Sequence, residues 1–348
     1  MTERPIAVVT GASAGVGRAT VRELATRGFD VALLARGAAG LEAAAGEVEL
    51  IGGRAFAVPT DVSRFDEVDG AATRIEEEFG PIAVWINNAM TTVFAPVAET
   101  SPADFQRAIE VTLLGQVWGT TAALSRMRPR DSGVIVNVGS ALSFVGIPLQ
   151  AAYCASKFAC RGFFESARAE LLHDGSRVRM SMVPLPAVNT PQFDWCKTSL
   201  GHHPKPVPPI YQPEVAARHI VRSALDGRRS RIVGSWNRML VMVDSLVPGI
   251  GNQYSALAAW DAQLTSEPID PHRPVNLSRP ADGDTDYGAH GIFDDESGGV
   301  LEGSFLSSLP QAARLFVESL RREIQDRQRQ PVLPGREAAP AVSAGSHR

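Results

Sequence analysis

The 348-residue chain contains little lysine, although 34 of its residues are Lys or Arg. Lys157, Lys197 and Lys205 are its three lysines, and Lys157 follows Tyr153 by four positions. An ammonium is a compact charge whose pKa shifts readily, whereas a guanidinium stays charged. The net charge of −4 gives no basic field of the kind that nucleic-acid-binding proteins carry. We therefore expect no nucleic-acid partner, and we expect Lys157 to be retained for its chemistry.

The chain also lacks a disulfide framework, a secretion signal and a membrane-length apolar run. Its cysteines, Cys154, Cys160 and Cys196, are odd in number and form no CxxC, which is typical of reduced thiols. No window approaches about 18 apolar residues, and the N-terminus has no signal-like apolar stretch. His202 and His203 have no further ligand at metal-binding spacing. These features predict a cytoplasmic protein with no transmembrane segment and no metal.

What the sequence has instead is a regular alternation of short apolar runs and longer helical patterns over its first 235 residues. Several runs are continuous and apolar, as expected for strands that are buried on both faces of a parallel sheet. The alternation predicts an α/β fold, a Rossmann-type doubly wound parallel sheet of about seven strands flanked by helices. The expected strands are 6–10, 30–35, 55–58, 82–86, 133–139, 179–183 and 231–235.

The pattern changes after residue 235. Residues 236–300 are expected to form a C-terminal extension that packs on the core or the substrate pocket, and 266–300, rich in Pro, Asp and Gly, to form a long surface excursion. An apolar stripe predicts an amphipathic helix over 301–330. Residues 331–348 combine Pro, Ala, Gly and Ser, which predicts a disordered tail.

The stretch TGASAGVG, residues 10–17, stands between the first strand and the first helix. A glycine-rich turn in this position directs backbone N–H groups and the positive end of a helix dipole towards one point, where phosphate is stabilised. Gly residues leave room for the pyrophosphate to approach the backbone. The predicted cofactor-binding residues here are Gly11, Ser13, Gly15, Val16 and Gly17.

The end of the second predicted strand bears on the choice of cofactor. Dehydrogenases that use NAD usually carry Asp or Glu there, to bind the ribose hydroxyls. The run VALLARG has no acid and places Arg36 just after the strand, where a guanidinium can pair with a 2′-phosphate. This favours NADP(H), while NAD(H) stays open as the alternative.

Four motifs in register resemble the short-chain dehydrogenase/reductase family over about residues 5–235. They are TGASAGVG, NNA at 87–89, a serine at 140 and YCASK at 153–157. The resemblance implies that residues 1–235 are a Rossmann-fold catalytic domain. It also implies an NAD(P)-dependent oxidoreductase that interconverts a ketone or aldehyde and an alcohol by hydride transfer.

The resemblance assigns Tyr153 as the acid/base residue and Ser140 as the group that holds the substrate oxygen. It assigns Lys157 as the cation that lowers the pKa of Tyr153 together with oxidised nicotinamide, and it places both Tyr153 and Lys157 among the cofactor-binding residues, with Lys157 on the nicotinamide-ribose hydroxyls. These roles agree with the physical chemistry, because a phenol of pKa about 10 is a poor base near neutrality without a nearby cation. Ser143 is the competing serine. The family's fourth residue, usually Asn, falls on Thr112, whose backbone carbonyl is expected to replace it.

By the same resemblance, Asp61 and Val62 contact adenine, Asn88 and Ala89 line the cofactor cleft, and Val188 and Thr190 lie over the nicotinamide. Asn87 is expected to brace the sheet instead.

The expected substrate is a small carbonyl compound or alcohol of apolar character, because aromatic residues such as Phe193 and Trp195 fall in the family's lid region. Family members associate through two long helices, here about 103–127 and 150–173, so a homodimer or homotetramer is expected. The candidate contact residues are Val117, Trp118, Phe163 and Phe164. A catalytically weak nucleotide-binding protein with a regulatory or scaffold role is the alternative outside the enzyme class.

Overall fold

The computed structural model describes residues 4–234, 237–239, 241–242, 255–256 and 259–298. The helix predicted over 301–330 and the tail predicted over 331–348 lie outside these residues. The described helices are α1 Gly15–Thr26, α2 Ala38–Leu50, α3 Phe65–Glu78, α4 Pro102–Ile109, α5 Gly115–Met127, α6 Ala151–His173, α7 Gln192–Trp195 and α8 Pro213–Asp226. A π-helical turn, Glu110–Leu114, joins α4 to α5. Single 3-10 turns cover Val97–Glu99, Ala141–Ser143, Asp261–Gln263 and Asp294–Glu296.

Thirteen strands are found in the described part of the chain. They are β1 Ile6–Thr10, β2 Asp30–Ala35, β3 Ala55–Pro59, β4 Ile82–Asn87, β5 Val93–Phe94, β6 Val134–Ser140, β7 Arg179–Leu185, β8 Ala187–Val188, β9 Lys197–Thr198, β10 His202–Pro204, β11 Ile210–Tyr211, β12 Leu264–Pro268 and β13 Ser297–Gly298. Six of them form the central parallel sheet in the order β3-β2-β1-β4-β6-β7. The predicted Rossmann-type fold is confirmed.

The apolar runs are continuous because the sheet is covered on both faces. All residues of β1, β2 and β6 are buried, and two separate core clusters pack on the two faces of the sheet. The seventh expected strand, 231–235, is not a regular strand in its described residues. Its backbone nevertheless follows β7, since Arg231 N donates to Met182 O and Val233 N donates to Pro184 O.

The strand order reverses between β1 and β4, and this reversal positions the site. At such a point the helices after the two strands leave on opposite sides of the sheet, which opens a crevice at the carboxyl ends of the strands. The glycine turn follows β1 and the NNA motif ends β4, so both motifs face this crevice.

The described strands of the C-terminal extension pair with strands of the first 235 residues. β12 pairs antiparallel with β10, and β13 pairs parallel with β11. Residues 276–291 lie at the surface, as expected, with 278–280 and 284–286 exposed, but Leu277, Asp282 and Ala289 are buried and anchor the segment. Their polar groups meet partners on the nucleotide side of the sheet, as described below.

The long helices differ in one respect from expectation. Phe164 is only 2% exposed and belongs to the core, so it has no surface to offer a second subunit. Val117, Trp118 and Phe163 are partly exposed. Among the described residues, no helix is long and apolar enough to cross a membrane.

Candidate active site

Ser140, Tyr153 and Lys157 converge at the carboxyl end of β6. Ser140 is the last residue of that strand, and Tyr153 and Lys157 lie one turn apart near the start of α6. The Ser140 side chain acts to lower the pKa of the Tyr153 hydroxyl. Lys157 Nζ lies 5.6 Å from the centroid of the Tyr153 ring and donates to Val138 O at 2.8 Å. The structure thus brings these three sequence-predicted residues together.

Burial dominates the electrostatics of this trio. It raises the pKa of Tyr153 above 10, and the Ser140 side chain only partly opposes the effect. Burial also lowers the pKa of Lys157, whose side chain is 2% exposed. The lowered pKa expected for Tyr153 is therefore not produced by the protein groups, because desolvation disfavours the phenolate more than its neighbours favour it. Tyr153 is protonated at neutral pH, as an acid must be.

The two candidate serines have different surroundings. Ser140 lines the large cavity described below, and its Oγ accepts a hydrogen bond from Leu142 N at 3.1 Å. Ser143 is fully buried, and its Oγ accepts from Ser140 N at 3.3 Å. Ser143 thus braces the backbone of Ser140 and does not face the cavity.

Thr112 is not brought into the cavity. It is fully buried in the π-helical turn, its Oγ1 donates to Thr91 O at 2.8 Å, and it accepts from Thr91 N at 3.0 Å. The Thr112 carbonyl accepts from Cys160 Sγ at 3.4 Å. Its side chain therefore fixes the segment after β4, and its carbonyl already has a thiol donor.

The glycine turn is shaped for close approach of a ligand. Gly11 has a φ of +64°, and a Cβ on Gly17 would lie 1.9 Å from Gly11 O. The Asn88 amide donates to Thr10 O at 2.9 Å and to Gly11 O at 3.2 Å, which fixes the turn against β4. A side chain at Gly17 would break this contact between turn and helix.

Asn87 acts as the expected brace between strands. Its Nδ2 donates to Asn137 Oδ1 at 2.8 Å and to Thr120 Oγ1 at 3.0 Å, and its Oδ1 accepts from Trp85 Nε1 at 2.8 Å. These buried bonds join β4 to β6 and α5, so Asn87 lies behind the crevice and Asn88 lies in it.

A cavity of about 310 Å³ joins the glycine turn to the Ser140–Tyr153–Lys157 trio. On the nucleotide side it is lined by Gly11, Ser13, Gly15, Val16, Asn88, Ala89, Val188 and Thr190. On the other side it is lined by Met90, Leu142, Ile147, Phe193 and Trp195, with Pro206–Pro209 closing it. The lining is mostly apolar on this second side, and Gln150 is one of its polar groups.

Four of the predicted cofactor-binding residues, Gly17, Arg36, Asp61 and Val62, do not line this cavity. Arg36 donates to Leu277 O at 3.1 Å and to Asn276 O and Oδ1 at 3.1 and 2.8 Å. Burial lowers the pKa of Arg36. The Asp61 carboxylate accepts from Ser63 N at 3.0 Å and from the Arg107 guanidinium at 2.5 Å.

Sequence reasoning missed the residues that separate Arg36 and Asp61 from the cavity. These belong to the extension, and nothing in its Pro-, Asp- and Gly-rich composition signals a role beside β2. These residues are recognised only from their low exposure in the structure: Asp282 is 4% exposed and Leu277 is 3% exposed.

A dinucleotide fits one half of this site. The nicotinamide half has a cavity, a glycine turn whose Gly11 and Gly15 line that cavity, and a trio of polar residues. In the adenosine half, the Arg36 guanidinium is bonded to Asn276 and Leu277 of the extension. Fold, crevice and trio together define a Rossmann-type oxidoreductase site.

Comparisons with known proteins agree with this class. The family model described as short chain dehydrogenase matches residues 5–197. The chain is 32% identical to human 17-beta-hydroxysteroid dehydrogenase 13 over 244 residues, which covers 70% of this chain and 79% of the relative. This chain belongs to the short-chain dehydrogenase family and is an NAD(P)-dependent dehydrogenase that acts on CH–OH groups.

Solved structures give the same result. An alcohol dehydrogenase from the archaeon Thermococcus sibiricus, complexed with 5-hydroxy-NADP, is 30% identical with a TM-score of 0.58 and covers 66% of this chain and 96% of its own. A short chain dehydrogenase/reductase from Burkholderia phymatum, in complex with NAD, is 21% identical with a TM-score of 0.65 and covers 70% of this chain and 94% of its own. At 21% identity, the likeness to the Burkholderia phymatum structure shows a shared fold only.

Proposed function

We propose that this dehydrogenase interconverts an apolar ketone or aldehyde and the corresponding alcohol, with NADP(H) as its preferred cofactor and Tyr153 as its acid/base. The observation that carries the proposal is the single cavity that runs from the glycine turn to Ser140, Tyr153 and Lys157. When bound, the nicotinamide supplies the hydride in reduction and accepts it in oxidation.

Each residue of the trio has a distinct task in this proposal. Ser140 Oγ donates to the substrate oxygen and stabilises the negative charge that develops there. Tyr153 gives its phenolic proton to that oxygen in reduction and takes it back in oxidation. The Lys157 ammonium, held by Val138 O at 2.8 Å, stabilises the phenolate that remains. Apolar walls exclude water and strengthen these interactions.

The preference for NADP(H) rests on Arg36, which follows β2 where an acid would favour NAD. In the archaeal alcohol dehydrogenase, at 30% identity, the bound ligand is 5-hydroxy-NADP. NAD(H) is the second candidate, because the buried Asp282 places a carboxylate next to Gly37, directly after Arg36.

The test is a panel of carbonyl compounds, with oxidation of NADPH and NADH followed by absorbance. Tyr153→Phe keeps the ring and removes the acidic proton, so turnover is expected to fall by about 100- to 10,000-fold while NADPH binding is retained. Arg36→Asp is expected to weaken NADPH far more than NADH. Near wild-type turnover in Tyr153→Phe would contradict the role of the tyrosine, and equal losses for the two cofactors would contradict that of Arg36.

A further inference from the structure

Residues 276–291 of the extension, called the strap below, lie across the N-termini of two helices. At α1, Gly15 N donates to Gly288 O at 3.0 Å. At α2, Ala39 N donates to Gly283 O at 3.2 Å and Gly40 N donates to Asp282 O at 3.4 Å. These first-turn amides have no partner within their own helices and are the groups that bind phosphate in a dinucleotide fold. Strap carbonyls satisfy all three.

The start of the strap engages the cation after β2. Arg36 makes its three hydrogen bonds with Asn276 and Leu277, and Arg107 Nε donates to Leu277 O at 3.3 Å. Leu277 is buried against Val93 and Ala95. The guanidinium that NADP(H) preference requires is thus already bonded to the protein's own backbone.

The middle of the strap places a negative charge, the carboxylate of Asp282, close to Arg36. Asp282 is 4% exposed, and a Cβ on Gly37 would lie 2.0 Å from its Oδ1. A Cβ on Gly40 would lie 2.8 Å both from Asp282 Oδ2 and from Ser13 Cβ. The absence of side chains at Gly37 and Gly40 leaves room for this carboxylate. A 2′-phosphate beside Arg36 would meet it, and two anions held this closely repel each other strongly.

The end of the strap is anchored by a buried cation. Arg18 is 2% exposed and donates to Asp286 at 3.3 and 3.4 Å, while it also holds Ser13 O and Gly40 O at 3.1 and 2.8 Å. Arg18 therefore ties the strap to the glycine turn and to α2 at once.

We infer that the strap and the adenosine half of the dinucleotide compete for one site, so that the strap opens before the cofactor is seated. This inference rests on the proposed function for the identity of the ligand. When the cofactor binds, its phosphate oxygens replace the strap carbonyls as the acceptors for the helix N-terminal amides and for Arg36. The phosphate oxygens make stronger, charge-assisted hydrogen bonds. Because only the open fraction binds, the closed strap lowers the apparent affinity in proportion to that fraction.

The experiment is amide hydrogen exchange of the full chain with 2′,5′-ADP, which carries the adenosine half alone, and with nicotinamide mononucleotide, which carries the other half. Amides of residues 276–283, which contact Arg36 and the start of α2, are expected to exchange faster with 2′,5′-ADP and at an unchanged rate with nicotinamide mononucleotide. Unchanged or slower exchange of the strap with 2′,5′-ADP bound would overturn the inference, because the strap would then close over the ligand.

Variants of the strap give an independent measurement by calorimetric titration of 2′,5′-ADP. Asn276→Ala removes one acceptor from Arg36, and roughly tenfold tighter binding is expected, since a hydrogen bond to a charged group contributes about 1.5 kcal/mol or more. Asp284→Asn, on an exposed strap residue, is the control and should leave affinity unchanged. Unchanged or weaker affinity in Asn276→Ala would contradict competition. A failure of the proposed dehydrogenase activity would remove turnover and leave the exchange response of the strap in place. A failure of the proposed NADP(H) preference would instead appear as an absence of 2′,5′-ADP binding in the calorimetry of the unsubstituted chain.

Discussion

The two neighbouring serines allow a matched test of the site, because each substitution removes a single hydroxyl from the same turn. In Ser140→Ala, the lost Oγ belongs to a residue that lines the cavity together with Tyr153. Removal of one donor to a developing oxyanion lowers kcat by about 100- to 1,000-fold, equivalent to about 2.7–4 kcal/mol. In Ser143→Ala, the lost Oγ is fully buried and faces the backbone of Ser140.

Both variants are expected to lose some stability. Ser140 Oγ caps the 3-10 turn by accepting from Leu142 N, and loss of a cap costs about 1 kcal/mol. Ser143→Ala leaves Ser140 N without its acceptor at 3.3 Å, which costs a similar amount. If the two variants lose a similar amount of Tm but very different amounts of kcat, the loss of kcat in Ser140→Ala is therefore an effect on the reaction and not on folding.

The assay is steady-state reduction of the best carbonyl substrate with NADPH, well below the Tm of each variant. We expect Ser143→Ala to change kcat by less than about threefold, since a barrier change under about 0.6 kcal/mol has that effect. If Ser143→Ala slowed turnover as much as Ser140→Ala, the assignment of Ser140 as the oxygen-binding serine would be refuted.

Three further predictions follow from the described contacts. Gly17→Ala places a Cβ 1.9 Å from Gly11 O and should abolish dinucleotide binding in calorimetry, whereas Gly70→Ala in α3, with nothing within 4 Å of its Cβ, should bind normally. Burial acts to raise the pKa of Asp61, but hydrogen bonds from Ser63 and the Arg107 side chain outweigh it and hold that pKa below 3.8. Its contribution to stability is therefore present above pH 3.8 and lost as pH falls through the lower, folded-state pKa, so Asp61→Asn should flatten the fall in Tm there. Light scattering should give a dimer or tetramer, and a mass near 37.2 kDa would count against association through the long helices.

The fold could be predicted because its signals are local. A strand buried on both faces of a parallel sheet must be continuously apolar, and β1, β2 and β6 are. Helix starts are local too: at α4, Ser101 Oγ accepts from Asp104 N, and Pro102 occupies the first helical position. Ser140, Tyr153 and Lys157 could be named because strand end and helix turn fix their relative positions.

The environment of Arg36 could not be predicted, because its partners come from far along the chain. Arg36 and Asn276 are separated by 240 positions, and Arg18 and Asp286 by 268. Asp and Pro are usually exposed, and a buried Asp carboxylate needs polar partners. In the strap those partners are unpaired helix amides and buried arginines, so a composition typical of a surface loop is compatible with burial. A helix N-terminus offers the same donors to a peptide carbonyl as to a phosphate, and sequence alone does not distinguish the two acceptors. The same amides that mark a dinucleotide site therefore also allow the chain to bind its own extension there.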